Sequence, residues 1–197
     1  MLVKTTVNNK LFERYYRLNR EATALKQEGK INEAIEKLME AYREAQERKL
    51  SLTVKDYLRL PAYLQEAKRN DEAWSWFNRL IQECASDFMS LSDIYDKMRL
   101  FRQREKAHKD AVKYGVLAEL YWCLGLHEQV HEMGWTDRRR ELTDCKKYIS
   151  DGYEKLLKRA KCEHLEKRLK KLIKVHMKEF PNISTSQLIK DIEALLA

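Results

Sequence analysis

The sequence predicts an all-α protein, and three observations lead to this. Only five Gly and two Pro occur in 197 residues, while Ala, Leu, Glu, Lys, Arg and Gln, which favour helix, are abundant. Apolar residues recur every three or four positions along nearly the whole chain, which is the period of an amphipathic helix. Residues that make tight β-hairpin turns are scarce. A chain of this length buries a hydrophobic core without needing disulfides or a structural metal.

Helical hairpins are predicted in the first half of the chain. Two short amphipathic helices meet at Gly29, a residue suited to the turn after a helix end. The pattern returns with a polar break at 68–71, and appears a third time, more faintly, up to Tyr114. Each unit contains a small residue that lets two helices approach, and these recur at intervals of 39 and 34 residues: Ala34, Ala73 and Ala107. Such a period indicates stacked helical repeats.

The segment EGKINEAIEKLMEA, residues 28–41, combines a glycine turn with a following helix that carries a small residue, and in this it resembles the tetratricopeptide repeat. The resemblance covers about half of the chain, 18–114. It implies a solenoid of stacked antiparallel hairpins, with a ligand groove lined by the first helix of each unit. The groove positions of this chain are Asn19, Thr23, Lys26, Lys55, Leu58, Gln65, Asp96 and Arg99. Thr23 replaces the asparagine of the family's chaperone-type clamp, so the resemblance does not imply capture of a free peptide C-terminus.

Longer helices are predicted in the second half of the chain. After Tyr114 the hydrophobic register changes, which favours a further short hairpin with a helix end near Gly125. Thr136 suits the N-cap of a stretch of one or two long helices. Ser184, followed three residues later by Gln187, forms a capping-box pattern that predicts a final short helix.

The net charge of +8 is concentrated in one stretch. Residues 137–178 hold 15 Lys and Arg against seven Asp and Glu, whereas the preceding part of the chain is nearly balanced. We therefore predict a helical-repeat region over 10–135 and a basic helical region over 136–197. The second region would cap the solenoid, form a homodimer or offer a second binding surface.

This surplus of positive charge has two interpretations. It is either the solvated face of amphipathic helices, in which acidic residues are interspersed, or a surface for an anionic partner. Such a surface would neutralise the phosphates of a nucleic acid, or contact an acidic protein. The residues that would do so are Arg138, Arg139, Arg140, Lys167, Lys170, Lys171 and Lys174.

The segment HEQVH at 127–131 fits the H-E-x-x-H pattern of zinc hydrolases. On a helix, His127 and His131 would face one metal ion, and the glutamate between them would act as a base on metal-bound water. Cys123, four residues earlier, would be a third ligand in a continuous helix. The expected helix end at Gly125 instead puts His127 in a first helical turn. We therefore interpret the match as fortuitous and predict no metal, with a zinc-dependent hydrolase as the less favoured alternative.

Other chemistry finds little support in the sequence. The cysteines lack paired ligand spacing and are interpreted as reduced thiols of a cytoplasmic protein: Cys84, Cys123, Cys145 and Cys162. Neither a Gly-rich phosphate loop nor a G-x-S-x-G elbow occurs, so we predict no cofactor and no enzyme activity. No apolar run approaches the roughly 20 residues that span a bilayer, so no membrane association is expected.

These observations favour a protein-protein interaction module. An adaptor, inhibitor or regulator would bind a segment of a partner protein along the groove over about 10–115. Trp76, whose helical neighbours Ser75 and Arg79 are polar, is expected to be exposed and to act at an interface. A nucleic-acid-binding protein that uses the basic helices is the alternative.

Overall fold

The computed structural model describes residues 8–132, 150–178 and 184–197. All regular structure in these ranges is helical, which confirms the predicted all-α class. The chain divides into two compact units, 1–79 and 80–197. The predicted boundary at 135 and 136 lies outside the described residues, as does the N-cap predicted at Thr136.

The first unit is built from helices that pack against each other. They are α1 (Asn8–Gln27), α2 (Ile31–Glu47), α3 (Val54–Tyr57), α4 (Arg59–Glu66) and α5 (Asn70–Glu83), the last of which continues into the second unit. α1 packs against α2, and α2 packs against α4. The turn predicted at Gly29 is confirmed, with a φ of 78° at this residue. Ala34 and Ala73, the small residues of the first two predicted repeats, are fully buried.

The separation of α3 from α4 follows from Pro61. A proline has no N–H to donate to the carbonyl four residues earlier, here that of Tyr57, and its ring clashes with that carbonyl in a continuous helix. The first helix therefore ends at Tyr57, and a second begins at Arg59. Thr53 and Asp56 start α3 with a reciprocal capping box.

The second unit is arranged around one long helix. Its elements are α6 (Phe88–Arg104), α7 (His108–Glu132), α8 (Ser150–Ala160), a 3-10 turn (Glu163–Leu165), α9 (Glu166–Met177) and α10 (Thr185–Leu196). α7 packs along α6 and also contacts α8, α9 and α10. The predicted final helix is confirmed, since Ser184 Oγ accepts a hydrogen bond from the N–H of Gln187 at its start.

The short hairpin predicted near Gly125 is wrong, because α7 is continuous through that residue. Gly115 and Gly125 lie where neighbouring helices come close. A Cβ atom on Gly125 would lie 2.5 Å from Sδ of Met89 in α6, and one on Gly115 would lie 3.0 Å from Cδ2 of Leu156 in α8. These glycines therefore make room for packing and do not end a helix.

Four lysines at helix ends adopt the left-handed conformation that is usually taken by glycine. Each follows a helix by two residues or fewer and has a φ between 53° and 62°: Lys49, Lys68, Lys106 and Lys161. After Lys68, the N–H of Arg69 returns to the carbonyl of Leu64, the bond that closes this kind of helix end. The turn predicted at 68–71 is thus formed without glycine.

Candidate interaction surfaces

A row of polar side chains joins α1 to α3 and α4 in the first unit, and we call it the polar ladder. Its α1 members are spaced three or four residues apart, so they share one face of the helix. The members on α3 and α4 have the same spacing and meet them. The ladder consists of Tyr15, Asn19, Thr23 and Lys26 on α1, and Asp56, Arg59, Tyr63 and Glu66 opposite.

Arg59 lies at the centre of the ladder. Its Nη1 donates to Oδ1 of Asn19 at 2.5 Å, and its Nη2 donates to Oγ1 of Thr23 at 2.9 Å and to the hydroxyl of Tyr63 at 3.2 Å. All three acceptors are neutral. Within the part of the chain that the structure describes, no carboxylate forms an ion pair with Arg59. Its guanidinium is therefore held in place by neutral acceptors.

One end of the polar ladder contains an ion pair, and the other contains a buried phenol. Lys26 Nζ lies 2.7 Å from Oε2 of Glu66 and 4.6 Å from the ring centroid of Tyr63. At the other end, the hydroxyl of Tyr15 donates to Oδ1 of Asp56 at 3.3 Å. Burial of the phenol and the negative charge of Asp56 raise the pKa of Tyr15.

The predicted groove residues are divided between the two units. Asn19, Thr23 and Lys26 belong to the polar ladder. The other three in the first unit differ in exposure: Lys55 is exposed, Gln65 is half-buried and Leu58 is buried in the core.

The remaining two, Asp96 and Arg99, lie on α6 in the second unit. They pair with each other, with Arg99 Nη2 at 2.6 Å from Oδ1 of Asp96. Arg99 Nη1 also donates to Oε1 of Gln103 at 3.2 Å.

Sequence reasoning missed Arg59, Tyr63 and Glu66, the α4 half of the ladder. Their spacing of four and three residues repeats that of Asn19, Thr23 and Lys26, so the signal was present in the sequence. Pro61 obscured it, because the helix restarts at Arg59 and changes which residues share a face.

Trp76 is half-buried, so its predicted exposure is wrong. Its ring stacks on that of Tyr42, with centroids 5.7 Å apart. The polar neighbours in sequence misled the prediction, since the indole stacks on Tyr42 of α2 and donates to the carbonyl of Tyr57 in α3. The side chain therefore contributes mainly to packing of the first unit.

The HEQVH segment lies near the end of α7, and His127 is not in a first helical turn, because α7 begins at His108. His127 is half-buried and Cys123 is buried. The side chain of His131 lies outside the described residues. Among the side chains that the structure describes, no cluster of three His, Cys, Asp or Glu residues suits a metal ion.

The other cysteines are dispersed through the fold. Cys84 is half-buried, and burial raises the pKa of its thiol. Cys162 is buried and its Sγ donates to the carbonyl of Ala160 at 3.2 Å. Cys145 lies outside the described residues.

The basic residues singled out in the sequence fall into three groups. Lys167, Lys171 and Lys174 are exposed on α9. Lys170 is half-buried and forms an ion pair with Glu166. The third group lies outside the described residues: Arg138, Arg139 and Arg140.

No helix in the described ranges is long and apolar enough to cross a membrane. The chain matches no protein-family model, no curated protein and no solved structure.

Proposed function

We propose that the protein is an interaction module, an adaptor, inhibitor or regulator, that binds an acidic segment of a partner protein on α1, α3 and α4. The finer architecture that belongs to this proposal is a tetratricopeptide-like solenoid of antiparallel hairpins, followed by a C-terminal bundle of longer helices. The protein would act in the cytoplasm. Its groove would recognise side chains and backbone of the bound segment, not a free C-terminus.

The observation that carries the proposal is the environment of Arg59. Three hydrogen bonds to neutral groups hold the guanidinium in one orientation without neutralising it. A partially buried arginine in this state favours an incoming carboxylate, because the ion pair would form with little further loss of side-chain freedom. Lys55, on the neighbouring α3, is also exposed.

An aromatic pair extends the surface along α1. Tyr16 is 53% exposed, and its ring stacks on that of Phe12 with centroids 5.6 Å apart. Arginine and aromatic side chains are the residues that most often dominate protein interfaces. A partner segment with an acidic residue beside an apolar one fits both features.

The experiment that tests this function places a photo-crosslinking amino acid at Lys55, on the proposed surface, or at Arg43, which is exposed on α2. Each form is irradiated in a lysate of the source organism, and adducts are identified by mass spectrometry. We expect a discrete acidic segment to crosslink from position 55 and not from position 43.

The partner recovered in this way is then titrated against Arg59→Gln, which removes the charge but keeps an amide donor. Loss of a charge-assisted hydrogen bond weakens binding by roughly tenfold or more. Arg43→Gln is the matched control and should bind like the unaltered protein. Equal crosslinking from both positions, or an unchanged affinity of Arg59→Gln with an unchanged Tm, would contradict the proposal.

A further inference from the structure

We propose that the second unit carries an additional binding surface, on which α9 binds the phosphate backbone of double-helical nucleic acid. The surface is a row of exposed lysines along this helix, which we call the lysine stripe. It consists of Lys167, Lys171, Lys174 and, directly after the helix, Lys178. Lys178 was not among the basic residues selected from the sequence, whereas Lys170, which was selected, is engaged with Glu166.

The spacing of the stripe aligns its charges. Successive members are four, three and four residues apart, so at 100° per residue they fall within an arc of about 60°. Their Cα atoms cover about 16 Å along the helix axis, at a rise of about 1.5 Å per residue. One strand of a duplex carries a phosphate every 3.4 Å or so along the axis, so this length faces several phosphates.

The face of α9 opposite the lysine stripe is buried in the fold, and this keeps the stripe on the surface. Leu169 and Ile173 are fully buried. His176, also buried, lies with its Nε2 at 3.2 Å from Oδ2 of Asp191 in α10. α10 is in turn tied to α7, since Lys113 Nζ lies 2.9 Å from Oε1 of Glu193. The apolar side of the helix is therefore already occupied by protein.

The stripe lies in a strongly positive part of the surface. Residues 154–178 hold ten Lys and Arg against three Glu. In the described part of the chain, none of the four stripe lysines forms an ion pair, whereas Lys170 on the same helix pairs with Glu166. Arg168 beside the stripe is exposed as well. Concentrated cations without acidic partners attract a polyanion and release its counterions on binding.

The chemistry of the helix favours a duplex over a single strand and over insertion into a membrane. Residues 154–178 contain no Phe, Tyr or Trp, so they offer no ring on which unpaired bases could stack, as single-strand binding proteins do. Lysine contacts to phosphate carry no sequence information. Insertion into an anionic membrane requires a free apolar face, and here that face is packed against α7 and α10.

The test uses the full chain and a fluorescein-labelled 20-base-pair DNA duplex, with the corresponding RNA duplex and a single strand as further probes. Anisotropy titrations run between 50 and 200 mM salt. Four phosphate contacts predict a slope of log affinity against log salt of about −3.6, so affinity should fall about 100-fold over this range. Two unrelated duplex sequences should bind equally, and more tightly than the single strand.

Substitution then locates the surface. Replacing Lys167, Lys171 and Lys174 by Gln should reduce the magnitude of the slope by about 2.7 and abolish most binding at 50 mM. The matched control replaces three exposed cations elsewhere, Arg20, Arg43 and Lys97, and should retain the slope. Glutamine has a helix propensity close to that of lysine, so circular dichroism and Tm should be unchanged in both.

Several results would overturn the inference. They are the absence of duplex binding at 50 mM salt, an equal loss of duplex affinity in the control variant, or binding of phosphatidylserine vesicles or a poly-glutamate peptide that is as tight as binding of the duplex. Arg59→Gln should bind duplex normally, so failure here and failure of the proposed protein-binding function are separable.

Discussion

Trp76 donates to the main-chain carbonyl of Tyr57 a hydrogen bond that Pro61 cannot provide. The indole Nε1 of Trp76 in α5 donates to the main-chain carbonyl of Tyr57 at 3.1 Å. In an uninterrupted helix the residue four positions later would donate to that carbonyl, but this residue is Pro61. The break between α3 and α4 and the packing of α5 are therefore linked through one carbonyl oxygen.

Replacing Trp76 with Phe should destabilise the protein by about 1–2 kcal/mol. The phenyl ring still stacks on Tyr42, but the partly buried carbonyl of Tyr57 loses the hydrogen bond from the indole. Urea denaturation followed by circular dichroism measures the change in free energy of unfolding. Tryptophan fluorescence is unsuitable as the probe, because the substitution removes one fluorophore.

A double-mutant cycle separates the lost hydrogen bond from lost packing. In a Pro61→Ala background the alanine N–H is available to the Tyr57 carbonyl, so Trp76→Phe should cost less there, by at least about 0.5 kcal/mol. An identical cost in both backgrounds would show that the indole N–H contributes nothing at this carbonyl.

Lys68→Gly should stabilise the first unit by about 0.5–1 kcal/mol. Lys68 has a φ of 62°, a conformation in which a side chain crowds the backbone and glycine does not. The side chain is exposed, so little packing is lost. The same substitution at Lys30, which is exposed but has a φ of −84° at the start of α2, is the control and should not stabilise. A loss of stability in Lys68→Gly would mean that strain at this turn is negligible.

The sequence predicts the helical class and the turns between helices well, because both depend on local spacing. Apolar residues at helical intervals locate α1 and α2, and Gly29 marks the turn between them. The turn at 68–71 is recognised from polarity even though lysine takes the position of glycine. Local information suffices for these features.

Features that depend on a distant neighbour are not predictable in this way. A glycine within a helical pattern is typical of a helix end. Only the close contact with Met89 in α6 shows that Gly125 is instead a packing residue. The role of Arg59 in the polar ladder is recognisable only in the folded chain, because its acceptors Asn19 and Thr23 are 40 and 36 residues away in sequence. The α1 members of the polar ladder were therefore predicted in part, whereas its α4 members were missed although their spacing is visible in the sequence.

Gly125→Ala should destabilise the second unit by about 1–2 kcal/mol, although alanine is the better helix former. The new methyl group would lie within 2.7 Å of two side-chain atoms of Met89 and 3.3 Å from its main-chain nitrogen, so α6 and α7 must shift. In a Met89→Ala background the side-chain clash is absent. There the same change should be close to neutral or stabilising, as measured by urea denaturation. Equal destabilisation in both backgrounds would place the constraint elsewhere.

Stability should fall as the pH rises above about 10, the pKa of an ordinary tyrosine in an unfolded chain. Burial raises the pKa of Tyr95, with contributions from Tyr121 and Tyr114 nearby, so the folded state holds the phenol neutral. The resulting stabilisation is complete below pH 10 and is lost above it, at up to about 1.4 kcal/mol per pH unit for this group.

Tyr95→Phe removes the ionisable group and should reduce the loss of stability at alkaline pH by that amount. Urea denaturation at pH 7, 10 and 11 measures it. Tyr16→Phe, at an exposed tyrosine, should leave the decline unchanged, and an equal effect of the two substitutions would exclude burial as the cause.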